Sequence, residues 1–176
     1  MRINFKLGKL LLHYSGTFKV YTMIPDLLGM QSVCDNKRHV LFLDFDKQTV
    51  RNLKKKIRHI QNNYGLGNVY VFRSSEGNFH ALCFDKLTFG MCADIDLELG
   101  MDKYLKHSVL RGFWVLRVSP KEESIKYLFC IEGHSLFEGS RCHYEFLSAM
   151  YPDMKAPDNL DNSNNVKFDI YTSVVK

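Results

Sequence analysis

The segment His39-Val40-Leu41-Phe42-Leu43-Asp44-Phe45-Asp46 runs from an apolar stretch straight into two carboxylates. Preceded by the polar loop Asp35-Asn36-Lys37, it reads as a buried strand. On a strand, positions i and i+2 point to the same side, so Asp44 and Asp46 share a face at its end. Two carboxylates so placed repel each other unless a positive charge sits between them. A divalent cation answers that need, because Mg²⁺ and Mn²⁺ take hard oxygen ligands. The plain alternative is a solvated strand end, with Asp46 capping the helix that follows.

Past Asp46 the period changes. Val50, Leu53, Ile57, Ile60 and Tyr64 recur at helical spacing, and Gly65 is a good stop. The outer face carries Arg51, Lys54, Lys55, Lys56 and Arg58. An ordinary solvated face accounts for them; with a carboxylate pair nearby, Arg51, Lys55 and Arg58 could equally track a phosphate backbone. Val69–Phe72 and Phe79–Phe84 read as a strand pair joined by the turn Arg73-Ser74-Ser75-Glu76-Gly77-Asn78. That turn can offer backbone N–H groups and hydroxyls to a phosphate. His80 opens the second strand of the pair; a lone strand histidine is usually a satisfied polar residue. Residues 88–106 look helical with a break at Gly100, and Gly112–Val118 is a fourth strand.

From 39 to 118 the order is therefore β-α-β-β-α-β, the split βαβ of ferredoxin-like and RRM-like α+β folds, with strand order 4-1-3-2 and one open sheet face. Residues 1–38, where Pro25 and Gly29 bracket a Leu27-Leu28 turn or helix, form an N-terminal module packed on this palm. Residues 119–176 form a C-terminal extension with a strand at 125–131, a helix at 140–150, a polar mobile loop at 152–165 and an edge strand at 168–171. The whole is one domain of 176 residues.

The net charge of +5 leaves room for a polyanionic partner without demanding one. No apolar run approaches the roughly 18 residues of a membrane span, and the N-terminus lacks a signal-peptide pattern. Five scattered cysteines suit reduced thiols and a cytoplasmic setting. Cys130, His134, Cys142 and His143 match no familiar zinc spacing.

Leu41–Asp46 resembles motif I of the archaeo-eukaryotic primase superfamily, an apolar strand ending in Asp-x-Asp. Val71–His80 resembles its motif II, in which a serine opens a glycine-containing turn and a histidine lies on the next strand. Leu116-Arg117-Val118-Ser119-Pro120-Lys121 is similar to the basic segment after motif III. The resemblance covers residues 38–121 and implies template-directed nucleotidyl transfer on an RRM-like palm, in a prokaryotic, plasmid or viral replication setting. It implies two Mg²⁺ or Mn²⁺ ions held by Asp44, Asp46 and a third carboxylate. It also implies an incoming triphosphate bound by Ser74, Ser75 and His80, with Arg117 and Lys121 neutralising its charge. Single-stranded template and primer would lie on the open sheet face, with a helicase in the same or a separate chain. The sequence departs from the family in having no aspartate in the fourth strand: Asp102 is best placed as third ligand, with Asp94 and Asp96 as rivals. Asn78 stands where a glycine is common.

Two other readings compete. A haloacid-dehalogenase phosphatase also has an apolar strand ending in Asp-x-Asp, but Lys47-Gln48-Thr49 displaces its threonine. An RRM-like nucleic-acid-binding module without activity would use aromatic residues of its third strand as stacking platforms, and only Phe79 and Phe84 offer themselves there.

Overall fold

The computed structural model describes residues 3–7, 10–14, 17–24, 27–34, 37–118, 124–162 and 167–171, with side chains over 29–34, 37–118 and 124–162. The elements in chain order are β1 (Ile3–Leu7), β2 (Leu10–Tyr14), β3 (Thr17–Ile24), β4 (Leu27–Gln31), β5 (His39–Phe45), α1 (Val50–Tyr64), β6 (Val69–Ser75) and β7 (Asn78–Leu87). There follow α2 (Phe89–Glu98), α3 (Asp102–Arg111), β8 (Val115–Arg117), β9 (Lys126–Ile131), α4 (Arg141–Met150) and β10 (Lys167–Tyr171). The class is α+β. The central sheet, in the order β5-β7-β6-β9, is antiparallel throughout. A second sheet runs β10-β3-β4-β8, with only β10 and β3 parallel, and β1 and β2 form a separate hairpin. The antiparallel centre is not the all-parallel sheet that the phosphatase reading would call for.

Three strands of the expected palm pair as a ferredoxin-like unit requires, β5 beside β7 beside β6. The fourth does not. Val115–Arg117 was expected to flank β5; it pairs instead with β4, Gly29 opposite Arg117 and Gln31 opposite Val115. Ser32 explains the exchange. Its N–H donates to the Trp114 carbonyl, its own carbonyl accepts from the Val40 N–H, and its hydroxyl accepts from the Trp114 N–H. The chain just after β4 thus sits between β5 and the start of β8. Leu27–Gln31 is correspondingly a strand, not a turn or helix.

Register fixes the two faces of the central sheet. Asp44, His80 and Phe72 stand opposite one another and share one face with Phe42 and Leu82. Helix α4 covers that face: His143 packs on Phe42, Tyr144 on Phe84, and Tyr151 beyond the helix on Phe72. The opposite face takes α1, which buries Leu53, Ile57 and Ile60. A helix lies on each face, which corrects the expected bare surface for a template, and exposed sheet side chains remain at the Arg73–Lys126 end of β6 and β9. Burying both faces is also why β5 is apolar without alternation.

Thr49, not Asp46, caps α1, its hydroxyl accepting from the Asn52 N–H at 3.3 Å. Gly65 ends the helix at φ 64°, the left-handed conformation that glycine adopts freely. The expected loop at 152–165 is pinned over its described part. Met154 and Asp161 are buried, the Tyr70 hydroxyl donates to the Lys155 carbonyl, and Asn159 donates to the buried Asp85 carboxylate at 2.8 Å. Lys86 pairs with Asp161. None of the five cysteines is joined in a disulfide. No helix among the described residues is long and apolar enough to cross a membrane.

Candidate active site

Strand β5 is the edge of the central sheet, and its C-terminal end opens onto a cavity of about 400 Å³. Asp44 and Asp46 both line it, with Gln48 beyond them. Lys56 of α1 forms one wall, its ammonium 6.0 Å from the Phe45 ring centroid. The opposite wall is the α2–α3 turn, Leu99–Met101, and the α3 side chains Lys103, Tyr104 and His107. The tyrosine is fixed by donating to the Val115 carbonyl at 3.0 Å.

Asp44 and His80 are direct cross-strand partners. Their Oδ1 and Nε2 atoms lie 3.7 Å apart, the imidazole buried and the carboxylate side chain 40% exposed. Arg117 completes the group. Its charge acts on both Asp44 and His80, and its main chain hydrogen-bonds the His80 ring. Burial, then the neighbouring Asp46 charge, push the Asp44 carboxyl up to about 6, against the pull of Arg117. Burial, then Arg117, push His80 down to about 4 despite its hydrogen bond to the Arg117 main chain. At neutral pH His80 is therefore neutral beside an ionised Asp44, and their contact is not an ion pair.

The loop behind the carboxylates is held under strain. Lys47 adopts φ 50°, a left-handed conformation uncommon outside glycine, directly after Asp46. It is kept there from the β6–β7 turn: the Asn78 side-chain oxygen accepts from the Lys47 N–H at 3.0 Å, and the Gly77 carbonyl accepts from the Gln48 N–H at 2.8 Å.

Of the residues singled out in the sequence, Asp44, Asp46, His80 and Arg117 come together. The others do not join them. Asp102 is exposed at the start of α3; its neighbours Met101 and Lys103 line the cavity and it does not. Its rival Asp96 is fully buried, accepting from the Trp114 indole N–H at 2.6 Å, and Asp94 is exposed on α2. Among the described residues no three His, Cys, Asp or Glu side chains gather as a metal-holding group. Ser74 is buried in β6, and the Ser75 hydroxyl accepts from the Asn78 amide at 2.7 Å; neither lines the cavity. His80 lies beneath Asp44 rather than in the opening, walled by Arg117, Leu147 and Tyr151. Arg58 is turned away, donating to the Glu132 carbonyl and to Gln61. Arg51 and Lys55 are exposed on α1. Lys121 lies outside the described residues. His143 is bonded to Ser140 and the Gln31 carbonyl.

Lys56, Lys103, Tyr104, His107 and Gln48 are site residues that sequence reasoning missed. Lys103 and His107 stand four apart on one helix and so share a face, the single signal the sequence carried for them. No family model, curated protein or solved structure matches the chain.

Proposed function

We propose that the chain is a metal-dependent nucleotidyltransferase of the primase–polymerase kind, adding nucleotides to a primer or beginning one on a single-stranded template. The observation that carries this reading is the pair Asp44 and Asp46 lining a cavity with Lys56 and Lys103 on its walls, backed from beneath by His80 and Arg117. An acidic floor facing Lys56 and Lys103 suits a cation–polyphosphate complex better than a neutral ligand.

The donor set fits a hard divalent cation. Asp44 is held toward its protonated form by burial and by Asp46, which is the strain a bound cation relieves. With two protein carboxylates, Mg²⁺ or Mn²⁺ would take its remaining oxygens from water and from substrate phosphates. Such an ion would supply charge neutralisation at the phosphoryl group and a more acidic attacking hydroxyl.

The protein's own groups do the rest. Lys56 and Lys103 hold the polyphosphate and offset charge that builds on the leaving pyrophosphate. His80 is a positioning residue: neutral and buried, it fixes Asp44 from below without competing for the cation. Arg117 draws the Asp44 carboxyl back toward its ionised form, against burial and Asp46.

The test is primer extension and de novo synthesis with Mn²⁺ or Mg²⁺ and labelled nucleotides, alongside Asp44→Asn and Asp46→Asn. Incorporation by the wild type that both variants lose supports the reading. No incorporation, together with no metal-dependent nucleotide binding, ends it.

A further inference from the structure

Arg73 of β6 and Lys126 of β9 are direct cross-strand partners. Partners in an antiparallel pair point to the same face, so two cations stand side by side. Like charges so placed destabilise a strand pair. Both side chains are exposed, and neither makes an ion pair among the described residues. The arrangement suits an anion lying across them.

What surrounds them says which anion. Arg73 and Lys126 line a groove of about 860 Å³ together with the partly buried Phe129 and with Val50, which is 40% exposed at the start of α1. The exposed Lys54 lies over the Phe129 ring, 4.6 Å from its centroid, a flexible cation that a base stacking there would displace toward the phosphates. Among the described residues Glu76 is the one acid lining the groove. A phosphate alone would need the cations and not the ring. Cations spaced along a groove with an aromatic platform are what a single-stranded polynucleotide binds, through its phosphates and its base faces. Gln48 lines both this groove and the Asp44/Asp46 cavity, so the two openings meet at one residue.

We infer that the Arg73–Lys126–Phe129 groove binds a single-stranded polynucleotide and leads it past Gln48 toward the carboxylate pair. The purpose of the strand rests on the nucleotidyl-transfer reading; its binding does not.

The experiment is fluorescence anisotropy of a labelled twelve-residue oligothymidylate across a salt series in EDTA, with circular dichroism to confirm that each variant folds. Arg73→Ala/Lys126→Ala should weaken binding at least about tenfold and flatten the slope of log affinity against log salt by about 1 to 2. Phe129→Leu, which keeps apolar packing, should weaken binding about tenfold and leave that slope unchanged. The charge-matched control Lys106→Ala/Arg111→Ala, on exposed positions of α3, should bind as the wild type does. Failure of the wild type to bind overturns the inference. So does an equal loss in the control, or inorganic polyphosphate competing as well as the oligonucleotide while Phe129→Leu has no effect. A chain that binds through this groove in EDTA yet never incorporates a nucleotide keeps this inference and loses the proposed function. A chain that incorporates nucleotides while the double variant binds unchanged does the reverse.

Discussion

Asp44 and His80 face each other across the β5–β7 pair with 3.7 Å between Oδ1 and Nε2, and burial pushes their protonation in opposite directions. The carboxyl holds its proton more tightly than a free aspartate, and the imidazole holds its own less tightly. Each shift disfavours charge, so the pair is poised for an external cation rather than for mutual neutralisation.

That poise sets a pH dependence for metal binding. The cation needs Asp44 ionised, and the Asp44 carboxyl titrates near about 6. Mn²⁺ affinity, measured by calorimetry, should be nearly flat above that pH and fall by up to about tenfold per unit below it. Asp44→Asn should remove both the affinity and its pH dependence.

Arg117 should set where that fall begins. Its charge lowers the protonation of both Asp44 and His80. In Arg117→Gln the onset of Mn²⁺ binding should move upward by about one pH unit. The His80 ring protons, followed by NMR, should titrate at higher pH than in the wild type. An onset that stays in place would remove Arg117 from the site.

Asp96 offers a stability test away from the cavity. It is fully buried; one oxygen accepts from Trp114 and the other has no hydrogen-bond partner among the described residues. Burial raises its pKa to about 7, against the Trp114 hydrogen bond. A carboxyl raised on folding favours the folded state at low pH and withdraws that stability as pH rises from about 4 to about 7. Asp96→Asn keeps an acceptor for Trp114 and has no charge. The stability of the variant relative to the wild type should therefore improve by on the order of 3 kcal/mol between pH 4 and pH 8 in denaturant titrations. A difference that does not vary with pH would mean that Asp96 titrates as a free carboxylate.

Much of this architecture was legible because it follows from local pattern. The 3.6-residue spacing of Leu53, Ile57 and Ile60 fixed α1, and Gly100 marked the break between α2 and α3 at φ 72°. The meeting of Asp44 with His80 follows from the 4-1-3-2 strand order, which sets the first and third strands side by side, together with their antiparallel direction. What escaped was set by distant pairing. Three residues of β8 carry too little pattern to declare a partner, and the hydrogen bonds of Ser32 to Val40 and Trp114 decide it. The unbroken Val40–Leu43 run did announce that β5 is buried on both faces, which is incompatible with an open palm. Lys56, Lys103 and His107 reach the cavity from two helices, and no linear motif joins them.

Gly133 tests how tightly β9 is closed against the α1–β6 loop. A Cβ there would lie 2.5 Å from the Gln61 amide nitrogen and from the Leu66 carbonyl, and 2.6 Å from the Gly67 carbonyl. Two of these neighbours are main chain, and Gln61 is itself fixed by donating to the Gly67 and Ile131 carbonyls. Gly133→Ala should cost about 3 kcal/mol in urea unfolding. An unchanged midpoint would show that this junction yields.

His80→Gln separates the burial of His80 from its role beside Asp44. The imidazole falls to about 4 in the folded chain from an ordinary 6.5. A histidine depressed on folding contributes stability that is fully present above its unfolded value and is lost as pH falls through the folded one. Asp44, raised to about 6, works in the opposite sense and favours the folded chain as pH falls over nearly the same window. In the wild type the two slopes oppose each other between pH 6 and pH 4. Glutamine can still donate to the Arg117 main chain but does not titrate, so only the Asp44 slope survives in the variant. The wild type should therefore be ahead of His80→Gln by the most above pH 6.5, and that lead should shrink by on the order of 3 kcal/mol as pH falls toward 4. Urea titrations at half-unit steps from pH 4.5 to 7.5 read this directly. A lead that stays constant with pH would mean that His80 titrates at its ordinary value. It would then not be the neutral, buried support for Asp44 on which the proposed chemistry depends.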